Sequence, residues 1–324
     1  KNWEPLLLLP IAFGMLLSNL PMIKDSSAIM MHTEFFTNPE YMTDGKYINV
    51  GYICQHGGLL DLLYLGVKLG IYPPLIFVGI GCMTDFGPLI ANPKSILLGA
   101  AAQFGVFFTF VGALVLSALV PSINFGIKEA ASIGIIGGAD GPTAIYVTKS
   151  LAPALLPAIA VAAYSYMALI PVIQPPIMKL MTRKKDRMIV MEQLRPVSKT
   201  EKILFPIIVT IIVALIIPDA VSLVGCLMLG NLMKESGVVE RLTKMAQNEL
   251  MNIITLFLGV TVGATATASS FLSAQTIGII VLGLIAFCFS TVGGLFLGDI
   301  MCWVTKGKVN PLIGSAGVSA VPMA

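Results

Sequence analysis

From Leu250 to Gly298 the chain carries no Asp, Glu, Lys or Arg. A helix needs about 20 apolar residues to cross a bilayer, so this stretch is long enough for about two crossings. The composition points the same way: 56% of residues are hydrophobic, 11% are charged and the mean hydropathy is +0.89. Soluble domains carry about 25% charged residues, and a soluble chain of this size could not hide so much apolar surface. The expected fold is an all-α polytopic membrane protein.

Spans are expected at 5–22, 72–91, 95–121, 151–178, 203–217, 219–233, 251–268 and 275–304, with a short amphipathic helix at 57–70. Loop 181–202 holds Arg183, Lys184, Lys185, Arg187, Arg195, Lys199 and Lys202 against three acids, Asp186, Glu192 and Glu201. That basic excess places it in the cytoplasm. Segment 23–56 holds both histidines, His32 and His56, and sets Lys24 and Lys46 against Asp25, Glu34, Glu40 and Asp44, which places it outside. The net charge of +3 decides nothing in such a chain, and no basic tract suggests nucleic acid. The five cysteines lack metal-ligand spacing, and four of them read as small packing residues in apolar segments. No targeting peptide can be judged.

The two halves echo each other in order. Leu16-Leu17-Ser18-Asn19-Leu20 matches Met228-Leu229-Gly230-Asn231-Leu232, Phe77-Val78-Gly79 matches Phe257-Leu258-Gly259, and Ile136-Gly137-Gly138-Ala139-Asp140 matches Ile313-Gly314-Ser315-Ala316-Gly317. The first pair lies further apart than the others by the length of the polar segment 24–55, which reads as an insertion. Placing the loops in or out of the cell sets equivalent points on opposite faces. That is an inverted-topology repeat, the architecture of many ion-coupled transporters. The expected organisation is a first repeat over 1–180, a cytoplasmic linker over 181–202, and a second repeat over 203–324 that continues past Ala324.

Both halves contain a Gly/Pro-broken segment. In the first, Gly137-Gly138-Ala139-Asp140-Gly141-Pro142-Thr143 holds the lone charge between Glu129 and Lys149. In the second, Asn310-Pro311 opens Leu312-Ile313-Gly314-Ser315-Ala316-Gly317-Val318-Ser319. Gly and Pro free backbone carbonyls, and such backbone survives in a membrane only if it is buried or lines a wet cavity. Paired interruptions point to a midplane site. Together the two tips offer one carboxylate, Asp140, with oxygens from Thr143, Asn310, Ser315 and Ser319. That set suits Na⁺ better than a divalent ion, which would want more carboxylates, and it does not suit Zn²⁺. The alternatives are that Asp140 caps a helix or neutralises a buried Lys, that Asn310 opens a turn, and that Ser319 is a packing residue.

Tyr164-Ser165-Tyr166 lies inside a span, where a Tyr hydroxyl either relays a proton or packs with a single hydrogen bond. Asp85, in Met83-Thr84-Asp85-Phe86-Gly87-Pro88, either caps a short helix or joins the ion path, and Asp299 reads as interfacial. There is no phosphate-binding loop, which argues against direct ATP use, and no nucleophile elbow.

At these motifs the chain resembles the integral β subunit of biotin-dependent, Na⁺-pumping decarboxylases. The resemblance rests on residues 137–145, 163–176 and 310–322, extends through 83–88 and 230–237, and covers nearly the whole chain except 24–55. It implies a subunit in a bacterial inner membrane that removes CO₂ from carboxybiotin and drives Na⁺ outward while consuming a proton. It implies partners as well: a biotin carrier subunit, a carboxyltransferase α subunit, a small membrane-anchor γ or δ subunit, and further copies of the chain in a homo-oligomer. It places functional roles on Asp140, Tyr166, Asn310, Gly314 and Ser319, and on an Arg that follows the last motif in the family. A secondary Na⁺-coupled carboxylate symporter is the competing expectation; it should show an Arg or Lys near a tip. The acid decarboxylated is chosen by another subunit, and Na⁺ stoichiometry is not legible.

Overall fold

The structure, a computed structural model, describes residues 8–20, 31–36, 38–43, 47–138, 140–191, 195–266 and 273–317. It is built almost wholly of helices, in chain order α1 (Leu8–Asn19), α2 (Val50–His56), α3 (Leu59–Lys68), α4 (Tyr72–Met83), α5 (Ile96–Ala102), α6 (Phe104–Leu119), α7 (Ile127–Gly134), α8 (Gly141–Leu151), α9 (Leu156–Met181), α10 (Lys199–Ile216), α11 (Val221–Ser236), α12 (Glu240–Met245), α13 (Met251–Ala264) and α14 (Ala274–Val304). Two stretches, Pro93–Leu119 and Ala274–Val304, are long and apolar enough to cross a membrane singly. The α3–α4 pair passes together but is bent by 68°. Met42–Thr43 and Tyr47–Ile48 form a two-stranded antiparallel ribbon in the polar segment. That ribbon is the one departure from an all-helical chain among the described residues.

One expected span differs in detail. The span expected at 72–91 stops at Met83. Asp85 Oδ1 accepts the Gly87 N–H at 2.9 Å and so begins a new short helix, Gly87–Ala91, with Pro88 in its first turn. An Asx turn followed by Gly-Pro favours such a restart over a continuous helix. Capping is therefore one role of Asp85; the other is an ion pair with Lys202, Nζ to Oδ1 at 3.3 Å. By contrast α9 runs unbroken for 26 residues through the sequence of Pro171, Pro175 and Pro176. Membrane helices tolerate such prolines because neighbouring groups satisfy the freed backbone.

The helices meet at glycines. A Cβ added to Gly14 would lie 2.2 Å from the Val260 carbonyl oxygen, and one on Gly263 would lie 2.1 Å from that of Ile11. Helices α1 and α13 therefore cross at backbone contact. Helices α4 and α11 cross in the same manner: a Cβ on Gly81 would meet the Leu227 carbonyl oxygen at 1.9 Å and one on Gly230 that of Val78 at 2.0 Å. Small residues permit this close approach where lipid supplies no hydrophobic drive between helices. Each crossing ends on an asparagine. Asn19 Nδ2 donates to the Ala266 carbonyl and Asn231 Nδ2 to the Thr84 carbonyl, both at 3.0 Å.

The polar segment is pinned to α3 by Asp61, which is fully buried. Its carboxylate accepts the His32 backbone N–H at 2.7 Å and the Gly58 N–H at 2.9 Å, and it contacts His32 Nδ1 at 2.6 Å. Phe35 stacks on His32, and Tyr41 and Tyr52 close around Phe35. Leaving buried donors unmatched costs about 1–3 kcal/mol. Asp61→Asn is therefore expected to lower thermal stability by about that amount and to open residues 31–56 to limited proteolysis.

At the basic end, α10 starts in a capping box. Ser198 Oγ accepts the Glu201 N–H at 3.2 Å and Glu201 Oε2 accepts the Ser198 N–H at 2.9 Å. Arg195 Nη2 donates to Glu201 Oε1 at 2.9 Å. That hydrogen bond first, and those from Ser198 next, hold the Glu201 carboxyl down to about 2. The folded value lies below the unfolded 4.5, so the cap's contribution is complete above about pH 4.5 and is lost as the pH falls toward 2. Carbon-13 NMR of the Glu201 carboxyl should give a midpoint near 2; an ordinary glutamate midpoint would mean the cap is open in solution.

Candidate functional site

Asp140 stands at the head of α8. Its Oδ1 accepts the Thr143 N–H at 3.2 Å and its Oδ2 accepts the Thr143 hydroxyl at 2.7 Å, so the carboxylate caps the helix. The tip before it, Ile135–Gly138, is a 3₁₀ turn. A Cβ on Gly137 would lie 2.6 Å from the Gly105 carbonyl oxygen, so this turn lies flat on the start of α6. Asp140 is half-buried. No Lys or Arg pairs with it among the described residues. Of the two structural alternatives, the cap is present and the lysine partner is absent.

The second tip, Pro311–Gly317, is also a 3₁₀ turn. A Cβ on Gly314 would lie 2.0 Å from the Gly294 carbonyl oxygen of α14, so this turn lies flat on its helix as the first does on α6. Asn310 opens the tip. Its Nδ2 donates to the Arg187 and Ile189 carbonyls at 3.1 and 3.0 Å, and its Oδ1 accepts the Leu312 N–H at 3.0 Å. Ser315 is buried and donates its hydroxyl to the Leu312 carbonyl at 2.7 Å. Ser319 lies outside the described residues. Asp140 and Thr143 are thus joined, as are Asn310, Gly314 and Ser315 within one turn, while no hydrogen bond links the two tips among the described residues.

Helix α9 touches both. Near its start the Tyr164 ring covers Gly141, where a Cβ would lie 2.3 Å from a ring carbon. Near its end the buried Gln174 donates Nε2 to the Ser315 carbonyl at 3.3 Å. Between them Tyr166 donates its hydroxyl to the Ile280 carbonyl and lays its ring on Gly283 of α14. The tyrosine against the Asp140 tip is therefore Tyr164, whose hydroxyl is buried without a hydrogen-bond partner among the described residues, as is that of Thr148. Tyr164→Phe removes a costly orphan, and it is expected to leave the melting temperature unchanged or raise it, by up to about 2 kcal/mol in stability.

Sequence reasoning missed Gln174 and Asp61. Each is a polar residue in an otherwise apolar run, which is the signal that flagged Asp140. What it could not show is that their partners lie elsewhere in the chain, at Ser315 and His32.

These features describe a helical membrane protein with two 3₁₀ turns laid flat on neighbouring helices, one of them followed by a carboxylate that pairs with no Lys or Arg among the described residues. The model of the family described as the Na⁺-transporting oxaloacetate decarboxylase beta subunit matches residues 1–324. Over 324 residues the chain is 57% identical to the methylmalonyl-CoA decarboxylase subunit beta of Propionigenium modestum, covering all of this chain and 80% of that one. It is 53% identical over 324 residues to the glutaconyl-CoA decarboxylase subunit beta of Acidaminococcus fermentans, covering all of this chain and 77% of the relative. It is also 51% identical over 353 residues to the oxaloacetate decarboxylase beta chain of Haemophilus ducreyi, covering all of this chain and 81% of the relative. The chain belongs to the family of membrane β subunits of Na⁺-transporting decarboxylases.

Proposed function

We propose that this subunit decarboxylates carboxybiotin presented by a partner and couples that step to outward Na⁺ transport across a bacterial inner membrane. In the chemical step the bond between the ureido nitrogen and the carboxyl carbon breaks. CO₂ leaves, and the electron pair stays on nitrogen, which takes up a proton. The observation that carries the proposal is Asp140: a half-buried carboxylate on broken backbone, with Thr143 as its partner and no Lys or Arg paired with it among the described residues. An intramembrane acid of this kind marks an ion path by default. Na⁺ binds Asp140 with oxygens of Thr143, Asn310, Gly314, Ser315 and Ser319, and it competes there with a proton. Tyr166 passes that proton toward carboxybiotin, leaving the Ile280 carbonyl to do so.

The halves act as an inverted repeat over 1–180 and 203–324, joined by a cytoplasmic linker over 181–202. The reciprocal glycine crossings of α1 with α13 and α4 with α11, the paired asparagines Asn19 and Asn231, and the two flat tips on Gly105 and Gly294 support this reading. The partners are a biotin carrier, a carboxyltransferase α subunit and a small γ or δ membrane anchor, with further copies of the chain in the assembly. Relatives of similar identity are named for different substrates, which fits an acid chosen by another subunit.

The test is co-purification and transport. The complex isolated from its membranes should carry a biotinylated protein that streptavidin detects, and inverted vesicles should take up ²²Na⁺ in a manner that avidin blocks. Uptake indifferent to avidin would overturn the proposal.

A further inference from the structure

The apolar span Pro93–Leu119 turns at Gln103, where α5 ends and α6 begins. Both tips rest on that one break. The first lies on its α6 side, with the Cβ position of Gly137 2.6 Å from the Gly105 carbonyl oxygen. The second lies on its α5 side: a Cβ on Gly317 would lie 2.5 Å from the Leu98 carbonyl oxygen and 3.2 Å from the Gly99 nitrogen. Gly99 and Gln103 are one helical turn apart and share a face. Gln103 is half-buried, and it is the only polar side chain between Ser95 and Thr109. That side chain does not cap α6 and makes no hydrogen bond among the described residues. Its Oε1 lies against the first tip instead, 3.5 Å from the Cβ position of Gly138, two residues before Asp140.

We infer that Gln103 is a further ion-contacting residue, whose amide oxygen coordinates Na⁺ where the two tips rest on its helix break. The inference rests on the reading above that Asp140 and the second tip hold Na⁺, and it adds a third broken segment to that site. An amide set in an apolar span without a partner is costly, and a bound cation supplies the partner. The amide oxygen is a hard, neutral donor of the kind that such cations take alongside a carboxylate. It adds a ligand without adding a charge, so the site keeps one negative charge for a monovalent ion. No hydrogen bond joins the tips among the described residues. An ion held by both needs a ligand from the ground between them, and Gln103 is the one polar side chain there. The purely local alternative, a cap on α6, is the bond that its side chain does not make.

The test uses the whole complex and follows biotin-dependent decarboxylation over a range of Na⁺ concentrations. Gln103→Met keeps the length of the side chain and removes its oxygen. It should raise the Na⁺ concentration at half-maximal rate about tenfold to a hundredfold, the range spanned by polar contacts with a charged group. The maximal rate should survive at saturating Na⁺. Gln103→Asn, which draws the amide back by one methylene, should raise half-saturation by less. Gln103→Glu, which keeps an oxygen at the same reach, should return it to the wild-type value or below. Phe107→Leu, at an exposed position on the same span, should leave it unchanged. Gln103→Met with wild-type half-saturation overturns the inference, and so does a lower maximal rate with half-saturation unmoved. Should that variant not assemble, unchanged half-saturation in Gln103→Asn overturns it equally. Failure of the underlying reading looks different: the wild-type complex itself would show no dependence on Na⁺.

Discussion

Asp140→Asn is expected to abolish avidin-sensitive ²²Na⁺ uptake while leaving the fold intact or firmer. Asn caps helices as well as Asp does, so the Thr143 N–H keeps its acceptor at Oδ1, while the Thr143 hydroxyl must turn to accept from the new amide nitrogen. What disappears is the charge. Setting a charged side chain at membrane depth costs about 2.5–3.5 kcal/mol on insertion scales, a cost that a bound cation offsets. Removing the charge relieves the unliganded protein and weakens Na⁺ binding by about a hundredfold. Uptake should vanish at millimolar Na⁺ while the melting temperature in detergent holds or rises. A merely structural cap predicts the reverse, normal coupled uptake, and that result would end the ion-site assignment. Thr143→Ala, which removes one donor and keeps the charge, should fall between the two.

The second large effect is on assembly of the membrane body. Gly14→Leu and Gly230→Leu each place a side chain where a first carbon would already lie within 2.2 Å of a carbonyl oxygen on the facing helix. The neighbour is rigid helix backbone, so the crossing must open. Overpacking typically costs about 1–3 kcal/mol, and these sites should reach the top of that range or exceed it. If the halves are equivalent, the two losses in detergent melting temperature should agree closely. A severe loss at Gly230 with tolerance at Gly14 would mean that the crossings are unrelated. Gly237→Leu, at a position with open space around it, provides the contrast, since its cost comes from backbone conformation alone.

Much of this was legible before any coordinates. Apolar run length located α1, α6, α9, α10, α11, α13 and α14, because crossing a bilayer demands it. A charge isolated among glycines flagged Asp140 because such placement is expensive. Other features were hidden because they depend on pairing across the chain. The glycines of α4 and α11 are visible as letters, but their facing carbonyls are not. The long span expected at 151–178 is continuous from Leu156 to Met181 despite Pro171, Pro175 and Pro176. Thr84-Asp85-Phe86 sat within one expected span, yet local hydrogen bonding to Gly87 divides it. The resemblance put a role on Tyr166 and none on Tyr164; residues two apart on a helix point to different neighbours, and only packing shows that Tyr164 faces Gly141 and Tyr166 faces Gly283.

Because Tyr164 and Gln174 ride on the same unbroken rod, a displacement at the Ser315 turn is delivered to the carboxylate end with little play. A pump built this way has few means of slipping, that is, of spending its fuel without moving an ion. Any tilt of that rod reaches both short turns, each of which rests on a glycine of a neighbouring helix.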